Sequence, residues 1–173
     1  ALTTTLSHSS THSYFASAPS SKNICDLYSP VITIPGGSTN LQLSFWRYYS
    51  TSSTRDGVVL EFSVDGGAWF DVTSSGSGAT FASGGYTGTL SSSSSSLQGR
   101  NAWTGNAASW AQTMINLTDN TKYPGHTLQM RWRMATNQNG SGTGFYLDDL
   151  VLGGAAAIAN LPPSIVTVPS DAS

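Results

Sequence analysis

Residues 41–72 read LQLSFWRYYSTSSTRDGVVLEFSVDGGAWFDV, and the pattern of that stretch decides the fold. Leu41, Leu43 and Phe45 alternate with Gln42, Ser44 and Trp46, a period of two that puts one apolar face on an extended chain. Beyond a Ser/Thr-rich loop ending in Asp56-Gly57, Val58, Leu60, Phe62 and Val64 alternate with Val59, Glu61 and Ser63. Asp65-Gly66-Gly67 supplies the positive φ angles of a tight hairpin, and Trp69 to Val72 returns antiparallel. The apolar spacing of three and four that a helix requires is missing. The stretch predicts three consecutive strands, a β-meander at the centre of an all-β domain.

The flanks extend the pattern. Ala1 to Asn23 is polar, with Tyr14-Phe15-Ala16 as a short apolar anchor. Leu27 to Ile34 reads as one strand, with Pro30 marking an edge or entry point. Downstream strands are expected at Tyr86 to Leu90, Trp110 to Leu117, Leu128 to Met134 and Gly144 to Leu152. Ser74 to Gly85 and the serine run Ser91 to Ser96 read as loops. Eight or more strands with long polar loops predict a two-sheet antiparallel β-sandwich of jelly-roll type over residues 1–153. Residues 154–173, with Leu161-Pro162-Pro163, read as a linker toward a following domain. Leu43, Phe45, Leu60, Phe62, Leu128 and Trp132 are the expected inward-facing residues.

Composition narrows the setting. The 173 residues suffice for one sizeable core. Only 9% are charged, against about 25% in an average soluble protein, while 49 are Ser or Thr. Hydroxyls therefore do most of the solvation. Seven basic residues and a net charge of −2 supply no clustered basic face for nucleic acid. No run of eighteen apolar residues is present to span a membrane. Cys25 is a lone cysteine, so no internal disulfide or cysteine metal site is expected, and a small apolar role suits it best. Low Lys, few Cys and abundant Ser, Thr, Gly and Asn suit a secreted or bacterial cell-surface protein.

Aromatic residues suggest binding more than chemistry. Flat rings stack on sugar faces while polar groups read hydroxyls. Trp46 and Tyr48 share the face of their strand that does not carry Leu43 and Phe45. Arg131 and Arg133 share the face opposite Met130 and Trp132. If those two strands are neighbours in one sheet, the four side chains form one glycan-binding surface. The bland alternative has the arginines stacking on Trp46 and Tyr48 and only stiffening the sheet. Trp69, Trp103, Trp110 and Tyr146 are further candidates, with core packing favoured for Trp103 and Trp110. His8, His12 and His126 have no acid beside them in sequence, and no nucleophile, zinc or phosphate-loop motif occurs. A glycosidase built on Glu61 and Asp148 is the least favoured reading; the chain is expected not to be an enzyme.

The segments LQLSFWRYY, DGVVLEFSVDGGAW, GGYTGTL, LQGRNAWTGN, LQMRWRMAT and GTGFYLDDL, in this order, resemble MAM-like jelly-roll modules. Such modules belong to large secreted bacterial proteins, often beside peptidase or Ig-like domains. The resemblance implies a non-catalytic accessory domain of the lectin-like or carbohydrate-binding kind. Its partner would be a glycan or an extracellular protein; a structural spacer supporting a neighbouring peptidase is the alternative, and a hydrolase domain the second. Similarity to carbohydrate-binding jelly rolls ending in Tyr-x-Asp-Asp implies that Asp148 or Asp149 helps hold a structural calcium. Asp26, Asp56 and Glu61 are possible companions, since calcium takes six to eight oxygens. Asp148 and Asp149 are expected on opposite faces of their strand. Two acids usual in the family are replaced: Ser50 to Thr54 lacks a Glu, and Asn137 stands where an Asp is usual. The competing expectation is that Asp148 caps a neighbouring loop and Glu61 pairs with Arg131 or Arg133.

Overall fold

The computed structural model describes residues 1–9, 11–91, 96–137 and 142–154. The expected linker beyond Gly154 and most of the serine run lie outside the described residues. In chain order the strands begin with β1 (Leu2–Thr3), β2 (Ser13–Ser17), β3 (Asn23–Tyr28) and β4 (Ile32–Thr33). The middle of the chain gives β5 (Leu41–Ser50), β6 (Gly57–Val64), β7 (Phe70–Asp71), β8 (Ala79–Ser83), β9 (Gly88–Thr89) and β10 (Asn101–Ala102). The last three are β11 (Ala111–Leu117), β12 (Thr127–Thr136) and β13 (Gly144–Gly153).

Two antiparallel sheets face each other. The first runs β1-β2-β13-β5-β11-β8; the second runs β3-β12-β6-β7, with β4 also on β12. The apolar core between them draws on both, and Leu43, Phe45, Leu60, Phe62, Leu128 and Trp132 are each at most 1% exposed. Period two thus assigned the inward faces correctly. It did not assign neighbours. β5 and β6 lie in different sheets, so the expected meander holds only for β6 and β7. Alternation says which side chains face inward but not which strand donates the next hydrogen bonds. The residues between β5 and β6 have ample reach to cross the roughly 10 Å between packed sheets.

Other departures have local causes. The expected strand Leu27 to Ile34 is two, β3 and β4, interrupted around Pro30, which has no N–H to give a ladder. β2 and β8 are only five residues long, too short for a clear alternation, and read in sequence as an anchor and a loop. Cys25 is partly buried against the core.

The segment between β8 and β11 plugs the sandwich. Trp103 is fully buried; its ring meets Phe45, Phe81, Tyr86 and Phe145, and its Nε1–H donates to the carbonyls of Gly84 (3.0 Å) and Gly85 (2.9 Å). Arg47 points inward from β5 with its guanidinium 5.4 Å from the Trp103 ring. It donates from Nη2 to Gly84 O at 2.9 Å, and Thr113 Oγ1 donates to the same oxygen at 2.9 Å. Three donors thus converge on one carbonyl. Burial pushes the Arg47 guanidinium below its ordinary pKa.

Gly84 has φ +65°, and a Cβ there would overlap the Gln112 carbonyl and the Thr113 backbone. Left-handed strain and displacement of the three-donor hub should act together. Gly84→Ala is predicted to cost about 2–4 kcal/mol, measured by urea unfolding. A loss under about 0.5 kcal/mol, the range of ordinary surface substitutions, would show that the hub is dispensable.

Candidate functional site

The outer face of the second sheet is ionic. Across β6 and β12, Glu61 lies opposite Arg131, and Glu61 Oε2 accepts from Arg131 Nε at 2.8 Å and Nη2 at 2.5 Å. Arg100 reaches the other Glu61 oxygen at 2.5 Å and Asp71 Oδ2 at 2.6 Å. Asp26 on β3 takes Arg133 Nε at 3.1 Å and lies 3.8 Å from Arg131 Nη1. Burial opposes the charge on Arg100 and Arg131. Their bonds to Asp71, Tyr28 and Glu61 outweigh it, and both guanidinium groups are held above their ordinary pKa. Trp69 caps the array with its ring 4.4 Å from the Arg131 guanidinium carbon.

Arg131 and Arg133 therefore do not share a surface with Trp46 and Tyr48. β12 and β5 are in different sheets, and the four residues face out from opposite sides of the sandwich. The aromatic that covers Arg131 is Trp69, not Trp46. Glu61 pairs with Arg131, as the competing expectation had it. Glu61 and Asp148 also lie on opposite outer faces, so they cannot flank one glycosidic bond.

The five candidate calcium ligands occupy three places. Asp26 and Glu61 belong to the ion array. Asp56 is buried just before β6; its Oδ1 accepts the Asn137 N–H at 2.8 Å, while its Oδ2 has no hydrogen-bond partner. That contact uses the Asn137 backbone, so it does not depend on whether Asn or Asp stands there. Asp148 and Asp149 lie on the first sheet. Among the described residues no three acid, His or Cys groups gather closely enough to hold a metal.

Asp148 and Asp149 correct the expectation of opposite faces. Between Asp148 and Val151 the β5–β13 register shifts, and Asp149 has φ +48°. Such a bulge breaks the alternation of a strand and re-aims a side chain. Both carboxylates consequently hold the same segment. Asp148 Oδ2 accepts the backbone N–H groups of His8 (2.8 Å) and Ser9 (3.1 Å). Asp149 Oδ2 lies 2.6 Å from His8 Nδ1, and its Oδ1 accepts from the Ser9 hydroxyl. Asp148 does cap a neighbouring loop.

That loop reaches the aromatic face of the first sheet. In β5 the even residues face outward, and register places Phe15 on β2, Tyr146 on β13 and Tyr48 on β5 in one row. Trp110, one residue before β11, folds back onto them: its ring lies 6.1 Å from Tyr48 and 6.4 Å from Tyr146, so the rings form a cluster rather than a line. The Phe15–Tyr146 and Tyr146–Tyr48 centroids are 4.5 and 6.0 Å apart. Phe15, Tyr48 and Trp110 are partly exposed, whereas Tyr146 is buried, and burial raises the pKa of its phenol. Two residues along β5, Trp46 lies under the His8 imidazole, with centroids 3.7 Å apart and planes within 12°. Further along, Asn40, Gln42, Asn116, Thr118 and Asn120 line an open cleft, with Gln42 Nε2 donating to Asn116 Oδ1 at 2.9 Å.

Sequence reading placed Trp46 and Tyr48 correctly on an outward face. It missed His8, whose acid partner is 141 residues away, and it assigned Trp110 to core packing, whereas the ring belongs to the outer aromatic cluster. Alternation from Tyr48 hinted at the row, but the pairing of β13 with both β2 and β5 was needed to see it. No protein-family model matches the chain, and no curated protein sequence does.

Asp56 gives a test of this geometry by pH. Burial raises its carboxyl above the ordinary range, against the bonds from the Asn137 and Ser52 backbone and the charge of Arg55. The folded state then holds this proton more tightly than the unfolded chain. Asp56 thus contributes less stability as pH rises through its folded pKa. Relative to wild type, Asp56→Asn should gain stability from pH 4 to pH 7, read by urea unfolding at each pH. Parallel curves would contradict a buried, half-satisfied carboxylate.

Proposed function

We propose that the chain is a non-catalytic binding or adhesion module of a multidomain secreted or cell-surface protein, of the carbohydrate-binding jelly-roll kind, and that it recognises a glycan. The observation that carries this reading is the aromatic cluster of Phe15, Tyr146, Tyr48 and Trp110 on the outside of the first sheet. The sandwich core is complete without it. The partly exposed Phe15, Tyr48 and Trp110 gather around the buried Tyr146, each with its ring centroid within 6.4 Å of it, a compact apolar platform suited to stacking on the face of a sugar ring. Along β5 the same face continues into hydroxyl and amide groups at Ser44, Gln42 and Asn116, which donate and accept as sugar hydroxyls do. A module of this kind would raise the local concentration of an attached domain at its substrate.

The spacer reading draws on the opposite side of the molecule, where the ion array and Trp69 leave the outer face of the second sheet internally satisfied. Calcium enters neither reading through the acids named from sequence. With Asp26 and Glu61 on arginines, Asp148 and Asp149 on the His8 segment, and Asp56 offering one unpartnered oxygen with no cluster of acids around it among the described residues, thorough chelation is predicted to leave the melting temperature unchanged. A clear fall would place a stabilising ion on other ligands.

A glycan array with the whole chain separates the two functions. Retention on at least one glycan is expected, and Tyr48→Ala should reduce it about tenfold or more. The same substitution should cost well under the roughly 3–5 kcal/mol of a core aromatic truncation. A stable Tyr48→Ala protein with undiminished retention, or no retention of the wild-type chain on any glycan, would contradict the proposal.

A further inference from the structure

The contact between residues 7–9 and Trp46 resembles a bound ligand more than a packed loop. The segment between β1 and β2 is fastened at its base by the Leu2–Tyr14 and Thr3–Ser13 pairs and by the Ser13 hydroxyl on Leu6 O at 2.5 Å. Its tip adds little buried apolar surface: His8 and Ser9 are exposed residues, and the His8 side chain keeps 28% of its accessibility. His8 and Ser9 are held by one flat ring on an indole and four contacts on two carboxylates. An ionised carboxylate only accepts, so the groups this segment presents to Asp148 and Asp149 are all donors: two N–H groups, a hydroxyl and the imidazole Nδ1–H. A sugar ring offers the same set, a flat face and several O–H donors. Beside this site Trp110 meets His8 edge-on at 5.8 Å, and its buried Nε1–H has no acceptor. An incoming hydroxyl oxygen would serve there; the imidazole does not.

We infer that the Trp46 face, Asp148 and Asp149 form a subsite for one uncharged sugar ring, which residues 7–9 fill from within the chain until a glycan displaces them. This rests on the glycan-binding reading above and specifies its regulation. The bulge at Asp148–Val151 acquires a purpose on this account, since it brings both carboxylates to the ring that lies on Trp46. Displacement exchanges donor for donor and ring for ring. The exposed His8–Asp149 pair contributes little stability of its own to hold the strap shut. While the strap is closed, the apparent affinity falls by the fraction of molecules that are open.

The test uses the full chain, with cello-, xylo-, manno- and N-acetylated chito-hexaose as uncharged probes. Titration calorimetry would compare wild type, His8→Ala and His8→Ala/Ser9→Pro, which lacks the stack, the hydroxyl and one N–H donor. Tightening of at least about tenfold in the double variant is expected, and adding Trp46→Ala should abolish the gain. Equal or weaker binding by the opened variants, with wild type binding, would overturn the strap and leave the glycan reading standing. Absence of binding by every variant would overturn both. A readout on wild type guards against a misfolded variant: a bound hexaose should speed amide exchange at His8 and Ser9. Slowed or unchanged exchange there would overturn the displacement.

Discussion

Phe45 is wedged edge-to-face between Trp132 of the second sheet and Trp103 of the crossing segment, at 5.3 and 5.7 Å. Much of the structure depends on that contact. It fixes β5 with its odd residues inward, and one residue of slip would turn every side chain of the strand to the other face. The same contact seats Trp103, whose indole N–H, with Arg47 and Thr113, gathers on the Gly84 carbonyl. With Phe45 held inward, Trp46 and Tyr48 must face outward. The outer aromatic cluster is thus a consequence of the core, although the core cluster does not contain it.

Scarce charge divides the two outer faces. With only 9% charged residues, few groups are left free, and three arginines and three acids are spent on one another across β3, β12, β6, β7 and Arg100. Partly buried pairs of this kind cost desolvation, so their clearest effect is to fix strand register and close that surface. Among the described residues the first sheet carries no such array. Its outer face is aromatic, hydroxyl and amide, with two carboxylates at the bulge.

The fold was legible where one strand explains itself. β5, β6, β12 and β13 each alternate or stay apolar over eight to ten residues, and their inward residues follow from period two. What failed needed a second strand. β5 and β6 were read as neighbours although a loop carries the chain between sheets, and combining Arg131 with Trp46 required β5 and β12 to be neighbours, which they are not. Asp148 and Asp149 were set on opposite faces because alternation assumes a regular ladder, and a bulge has no dependable signature in Leu147-Asp148-Asp149-Leu150. His8 carries no local signal at all; its stacking on Trp46 appears only once the N-terminal segment is laid across the sheet.

The central claim is that ligands meet the outer face of the first sheet. Indole N–H resonances test it directly, because the five tryptophans divide among the first-sheet face, the core and the ion array. Titrating a retained glycan into 15N-labelled chain should shift the Trp46 and Trp110 signals and leave those of Trp69, Trp103 and Trp132 in place. A shift confined to Trp69, on the opposite face, would contradict the account.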